Sequence, residues 1–369
     1  MTAVQAAATT RLLSLDALRG FDMFWIVGAE DIVHALRKAS DTGVTRLLAN
    51  QMDHKPWAGF AFYDLIFPLF VFMVGISLVF SLGRILERDG RRAALGRVCR
   101  RAALLYVIGI FYYGGFATPI DHIRLMGVLQ RIALCYLFAG FIFCVFDLRT
   151  RIGLCVGLLL TYWALMCFVP VPGIGAGDFA EGHNLANWID KEYLPWRKWD
   201  GDHDPEGLLS TLPAVATCLL GVFAGMLLQN RSLAEPRKAL YLAGAGVALA
   251  AVGWLWHLQF PVIKKVWTSS YVLVAGGYSC LFLAAFHQVI EVWGWRRWAQ
   301  PFVWIGMNPI TIYLVHNLVD LKKIALRFVG GDLGVCLGRG ADLAVTIVVM
   351  AISFWICRFL YRRKIFLRL

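Results

Sequence analysis

Apolar runs of about 20 residues recur along this chain, and that recurrence leaves few folds open. In hydrocarbon only a helix or a closed barrel satisfies its own backbone amides, and a spanning helix needs about 20 mostly apolar residues. The runs fall at roughly 14–36, 62–83, 98–118, 125–146, 151–171, 208–228, 238–257, 268–291, 300–320 and 341–361. They predict an all-α, polytopic integral membrane protein of about ten transmembrane helices, a single domain over residues 1–369. Charge content agrees: only 16% of residues are charged and 59% are hydrophobic, against roughly 25% charged in soluble domains. The first run is the weakest, interrupted by Asp16, Arg19, Asp22, Glu30 and Asp31, and the fourth contains Gln130 and Arg131.

Basic residues gather after alternate spans: Arg84 to Arg101, Arg149 and Arg151, Arg231 to Lys238, Arg296 and Arg297, and Arg362 to Arg368. The positive-inside bias makes that side cytoplasmic and places both termini inside. Arg37, Lys38, Lys264 and Lys265 fall on the other side, as do Lys322, Lys323 and Arg327, a group that a short amphipathic interfacial helix would explain. The net charge of +12 is therefore topological. No basic stripe interleaved with aromatics points to nucleic acid. The nine cysteines include no C-x-x-C pair and lie mostly in apolar runs, as buried free thiols do. The N-terminus shows no pattern of a cleaved signal peptide, so the first run is expected to remain as a helix.

Three loops fall opposite the main basic side. Residues 37–61 hold His54 and Trp57; 117–124 hold Asp121, His122 and Arg124; and 171–207 is long and polar, with Asn184, Asn187, Trp188, Trp196, Trp199, His203, Asp204 and Glu206. Aromatics, acids and amides in such a loop suit sugar recognition, and an interfacial tryptophan belt suits the same residues equally.

Ionisable residues inside spans are costly and mark function by default. At 100° per residue Asp16, Arg19 and Glu30 share one helical face, with Asp16 and Arg19 an i,i+3 pair. His54 is the foremost catalytic candidate, since an imidazole at the membrane edge can take a proton near neutral pH. His122, His183, His203 and His316 carry less support. Asp64 stands where it can cap a helix or fix the tautomer of a nearby histidine, just ahead of Pro68. Gly306-Met307-Asn308-Pro309 with Tyr313, His316 and Asn317 forms a polar patch that either lines a cavity or only kinks a helix. Arg131 must meet a ligand phosphate or a carboxylate. Neither G-x-x-x-x-G-K-[ST], H-E-x-x-H nor G-x-S-x-G is present, and no metal is expected. These residues alone fit an enzyme or a transporter of an amino sugar or sugar conjugate equally well.

Ser14-Leu15-Asp16-Ala17-Leu18-Arg19-Gly20-Phe21-Asp22, His54 with Trp57 and Gly59, and Asp64-Leu65-Ile66-Phe67-Pro68 resemble the heparan-α-glucosaminide N-acetyltransferase family, with its bacterial transmembrane relatives. Gly127 to Arg131, Asp204-Pro205-Glu206-Gly207, Trp267 to Tyr271 and Gly306 to Pro309 extend the resemblance in order along the chain. It implies acetyl transfer from acetyl-CoA, as co-substrate, to the amine of a glucosamine or glucosaminide acceptor across a lipid bilayer; a homodimer is compatible with it. It also implies an active-site histidine on the non-cytoplasmic side, ten residues before the Asp of the D-L-[IV]-F-P motif, the spacing of His54 and Asp64. The animal enzyme has an active-site Asn late in its first span, and a gapless count from Asp16 puts Glu30 there. The long extracytoplasmic N-terminal domain of the animal enzyme has no counterpart in this sequence. Under this resemblance His54 is general base or transient acyl carrier. Arg131 would hold the nucleotide end, and Asn308 or a backbone N–H the thioester oxygen. Trp57, Asp16, Arg19 and His316 are further binding candidates. O-acylation of an envelope polysaccharide is the remaining enzymatic alternative.

Overall fold

Amides buried in an apolar solvent close on their own helix, and the chain follows that rule throughout. The computed structural model describes residues 12–117 and 119–367, and among these it is helical with three isolated β-bridges and no strand. In order the helices are α1 (Leu13–Phe24), α2 (Glu30–Ala39), α3 (Gly43–Met52), α4 (Ile66–Tyr112), α5 (Val128–Val145), α6 (Leu148–Phe168), α7 (Leu185–Tyr193) and α8 (Thr211–Gln229). There follow α9 (Glu235–His257), α10 (Ser269–His287), α11 (Gln300–Gly306), α12 (Pro309–Leu318), α13 (Leu321–Val329), α14 (Asp332–Leu337) and α15 (Ala341–Arg362).

Seven helical stretches among the described residues are long and apolar enough to cross a membrane, rather than ten uninterrupted ones. The expected spans 62–83 and 98–118 are two arms of one stretch, Phe62–Ala117. Gly90, at φ 81° and ψ 177°, sits in a backbone region open in practice to glycine alone. The chain doubles back there: Ser77 and Arg101 line one cavity, and a Cβ on Gly140 would meet both Leu78 and Val98.

Two expected spans are broken. Residues 14–36 divide into α1 and α2 around a π-helical turn, Trp25–Ala29, where Gly28 takes φ 126°. Residues 300–320 divide into α11 and α12 at Asn308, because Pro309 has no N–H to give and disfavours helical backbone before it. The first break undoes the single polar face expected of Asp16, Arg19 and Glu30.

The first arm of α4 and the helices α5, α8 and α10 bury most of their residues, whereas α6, α9 and α15 bury few and turn apolar side chains such as Val247, Leu255 and Trp355 outward. Small residues let the inner helices close up, as membrane packing requires. A Cβ on Gly75 would lie 2.0 Å from the Cys218 carbonyl oxygen, and one on Gly306 would lie 1.9 Å from that of Asp16. α13 is amphipathic, with Leu321, Ala325 and Val329 buried and Lys322, Lys323 and Arg327 exposed.

At one end of the bundle the loops interlock. Gly59 N–H donates to the Val262 carbonyl at 2.9 Å, Ala58 bridges to Ile263, and Trp57 Nε1 donates to the Phe179 carbonyl at 2.8 Å. A second apolar cluster of Tyr162, Met166, Phe260 and Ile263 lies under them. At the opposite end is the arginine-rich turn around Gly90.

Candidate active site

α3 ends at Met52, and the chain then runs extended through Asp53 to the turn before α4. Asp64, fully buried there, caps that turn: Oδ2 accepts from Ala61 N–H at 3.0 Å and Lys55 N–H at 3.3 Å. Its other oxygen, Oδ1, lies 2.8 Å from His54 Nδ1. The two roles open to Asp64 in the sequence are thus both filled. A carboxylate accepts only, so Nδ1 carries a proton toward it and Nε2 keeps the lone pair. The His54 side chain is half exposed, and its ring packs on Tyr63 at 4.8 Å between centroids.

The pairing of the 53–61 and 258–268 loops adds Lys264. Its ammonium stands 2.9 Å from His54 Nδ1, 3.0 Å from Nε2 and 3.6 Å from Asp64 Oδ1. The near-equal distances put the ammonium over the face of the ring, beside Nε2 and out of line with its lone pair. Burial holds the Lys264 ammonium below the ordinary lysine value, with Asp64 pulling the other way. Sequence reasoning placed Lys264 among the outer basic residues and gave it no role; 210 positions separate it from His54. Glu30 reaches His54 only indirectly, through the Tyr63 hydroxyl to which it is hydrogen-bonded.

The remaining candidates separate. Trp57 is an anchor for the long loop. Arg131 is fully buried at the His54 end, stacked over Trp267 at 4.9 Å, and donates to the Gly207 carbonyl at 3.2 Å and to Ser210 Oγ. That places it away from the arginine-rich turn. Arg19 Nη1 bonds Asp16 Oδ1 at 3.2 Å and the Gly306 carbonyl at 3.2 Å, while Nη2 donates to Ser77 Oγ at 2.7 Å. Asn308 is committed to the C-terminal tail, donating to the Ile365 carbonyl at 3.1 Å and accepting from Leu367 N–H at 3.3 Å, so the thioester donor expected of it is not beside His54. His316 lines a separate cavity of about 450 Å³ with Asp31, His34 and Asp320.

The long loop is built from its own polar groups. Asn184 caps α7 and pairs with Asn187, and Asp190, pushed up to about 6 by burial, accepts from Leu208 N–H at 2.8 Å. Arg124, between Tyr113 and Trp199, makes a two-pronged bond to Asp204 (2.8 and 2.6 Å) and another to Glu206 at 2.5 Å. Glu181, Asp200 and His203 bring ligand atoms within 4.8 Å of one another, the spacing of a cation site. Lys265 Nζ already bridges Glu181 and Asp200 at 2.7 and 2.9 Å.

At the arginine-rich end a cavity of about 250 Å³ is lined by Arg19, Ser77, Arg97, Arg101, Tyr136 and Met307, among others. The Nε atoms of Arg97 and Arg101 are buried there without a partner among the described residues. Such donors fit an anionic group.

An all-α, multi-pass membrane protein with a histidine–carboxylate–lysine centre at one end and an arginine-lined cavity at the other is the class that fold and site define. Residues 11–257 match the family described as heparan-alpha-glucosaminide N-acetyltransferase, catalytic, and the chain belongs to that family. It is 28% identical over 380 aligned positions to heparan-alpha-glucosaminide N-acetyltransferase of Homo sapiens, covering 85% of this chain and 55% of the human protein. Against the protein of that name from Mus musculus it is 27% identical over 331 positions, covering 72% and 49%. The chain spans about half the length of the curated relatives it matches.

Proposed function

We propose that this protein is a transmembrane N-acetyltransferase that moves an acetyl group from acetyl-CoA to the amine of an amino sugar. The observation that carries the reading is the His54–Asp64 pair at a loop-covered end of the bundle, with Nε2 turned away from the carboxylate. In this reading ten passes cross a bacterial inner membrane, with both termini and the arginine-rich turn on the cytoplasmic side. The two broken helices then count as passes, each complete only as a pair of shorter pieces.

Arg19, Arg97 and Arg101 would hold the phosphates of acetyl-CoA, a role the sequence alone gave to Arg131. Thirteen residues of helix separate Ser77 from Asp64, about 20 Å at 1.5 Å per residue, a distance an extended pantetheine arm covers. The bound thioester supplies an activated acetyl carbonyl. His54 Nε2 takes the proton that the acceptor amine loses as its nitrogen bonds to that carbonyl carbon. Asp64 holds the ring in the tautomer that makes this transfer available and stabilises the imidazolium. The imidazolium then returns the proton to the CoA thiolate as the C–S bond breaks.

The test is acetyl transfer from labelled acetyl-CoA to glucosamine by the detergent-purified protein, where no compartments exist. Wild type makes N-acetylated product, and His54→Ala, folded by melting temperature and gel filtration, makes none. A transporter would give no product in detergent, and product from H54A would remove His54 from the chemistry.

A further inference from the structure

Acyl transfer needs a group to carry the negative charge that gathers on the carbonyl oxygen, and such donors are commonly the largest single contribution to rate. The sequence offered Asn308 or a backbone N–H for this task, but Asn308 is held by the C-terminal tail. Glu30, standing where the family resemblance expects an amide, is an acceptor when ionised. A donor must be sought at the imidazole itself.

We propose that Lys264 is that donor: its ammonium binds the thioester carbonyl oxygen and holds the oxyanion while His54 takes the amine's proton. This deepens the acetyltransferase reading and rests on it.

The geometry is specific. Among the described residues Lys264 is the side-chain cation in hydrogen-bonding range of His54, at 2.9 and 3.0 Å from the ring nitrogens. An ammonium has three donors and no acceptor. Asp64 Oδ1, 3.6 Å away, is its ion-pair partner, and the ammonium lies over the ring beside Nε2. When the acceptor amine occupies Nε2, the N–H groups of the ammonium stand next to the nitrogen under acetylation and so next to the carbonyl it attacks. The lysine is held in place: Gly59 N–H donates to the Val262 carbonyl, and Thr268 Oγ accepts from Ile263 N–H at 3.1 Å. Its side chain is one-fifth exposed, so water screens the charge little.

The step balances. The amine nitrogen forms the C–N bond, and the carbonyl π pair moves to oxygen, held by Lys264. The amine proton goes to His54 Nε2. The pair then returns, the C–S bond breaks, and the thiolate takes the proton back from the imidazolium. Lys264 stays protonated throughout.

The experiment separates recognition of the carbonyl from everything else the lysine does. Binding of acetyl-carba(dethia)-CoA, an inert ketone, is compared with S-ethyl-CoA, which lacks the carbonyl, by calorimetry in detergent for wild type, Lys264→Met and Lys264→Arg. The expected result is a wild-type preference for the ketone of about tenfold or more. K264M loses that preference while binding S-ethyl-CoA as before, and K264R keeps most of it. In turnover K264M loses about 10²–10³ in kcat, the usual cost of one oxyanion donor, with KM for the amine nearly unchanged. Should K264M not fold, Lys264→Leu, which likewise removes the charge and every N–H donor, is read by the same criterion. Retention of the ketone preference in the folded variant overturns the proposal. Wild type that binds both analogues equally yet turns over overturns the proposal alone, and wild type that binds neither analogue and makes no product overturns the acetyltransferase reading with it.

Discussion

Replacing Asp64 by asparagine should leave a folded protein that has almost lost transfer. Oδ2 accepts from two backbone N–H groups, those of Ala61 and Lys55, and only an oxygen can stay there. The amide nitrogen of the D64N side chain must therefore take the place of Oδ1, 2.8 Å from His54 Nδ1. An N–H at that point demands a lone pair on Nδ1, and the ring proton moves to Nε2. The imidazole then offers a donor where the reaction needs a base. The same exchange in a Ser-His-Asp triad costs about 10⁴ in kcat, or about 5.4 kcal/mol at 1.36 kcal/mol per decade. Stability should fall less. Both backbone bonds survive, and what is lost is the charge-assisted bond to His54 and the attraction to Lys264, together about 1–3 kcal/mol. The assay is the rate of acetylglucosamine formation in detergent, run beside a thermal melt of the same sample. A D64N protein with an intact melt and a rate within tenfold of wild type would refute the tautomer reasoning.

Arg101→Ala should raise KM for acetyl-CoA about tenfold or more while leaving kcat little changed, as for loss of uniform ground-state binding, measured by steady-state kinetics. Glu30→Gln should lower kcat less than tenfold, because Glu30 reaches His54 only through Tyr63; a larger loss would place it on the substrate. Trp57→Phe removes the bond to the Phe179 carbonyl and should cost about 1 kcal/mol, read as a small drop in melting temperature. Gly306→Ala should abolish folded protein, since its Cβ would stand 1.9 Å from the Asp16 carbonyl oxygen, whereas Gly244→Ala, facing open space, should be neutral by yield and melt.

Much of this was legible in the chain because the rules behind it are local. Apolar runs mark helices, and the motif around Asp64 marks a helix start; the family resemblance, through its ten-residue spacing, is what singled out His54 with Asp64. The breaks at Gly28 and Asn308 had signals, a glycine beside Glu30 and Asp31 and a proline after the Asn, but a 20-residue hydropathy window averages over them. Lys264 was not legible. It meets His54 only because Gly59 pairs with Val262 across two loops, a contact with no periodicity. Arg131 could not be placed for a related reason: sequence cannot show that a distant loop brings Gly207 and Ser210 to its Nη2, while Nε and Nη1 stay buried without a hydrogen-bond partner among the described residues. The same limit hid the two-pronged bond of Arg124 to Asp204.

The central claim is that donor and acceptor enter from opposite ends of one bundle and meet at His54. Oriented proteoliposomes with acetyl-CoA supplied only on the side of the arginine-rich turn and glucosamine only on the side of His54 test it directly. The account predicts N-acetylglucosamine in that arrangement and almost none when the two are exchanged. Product formed only when both substrates share one compartment would contradict it.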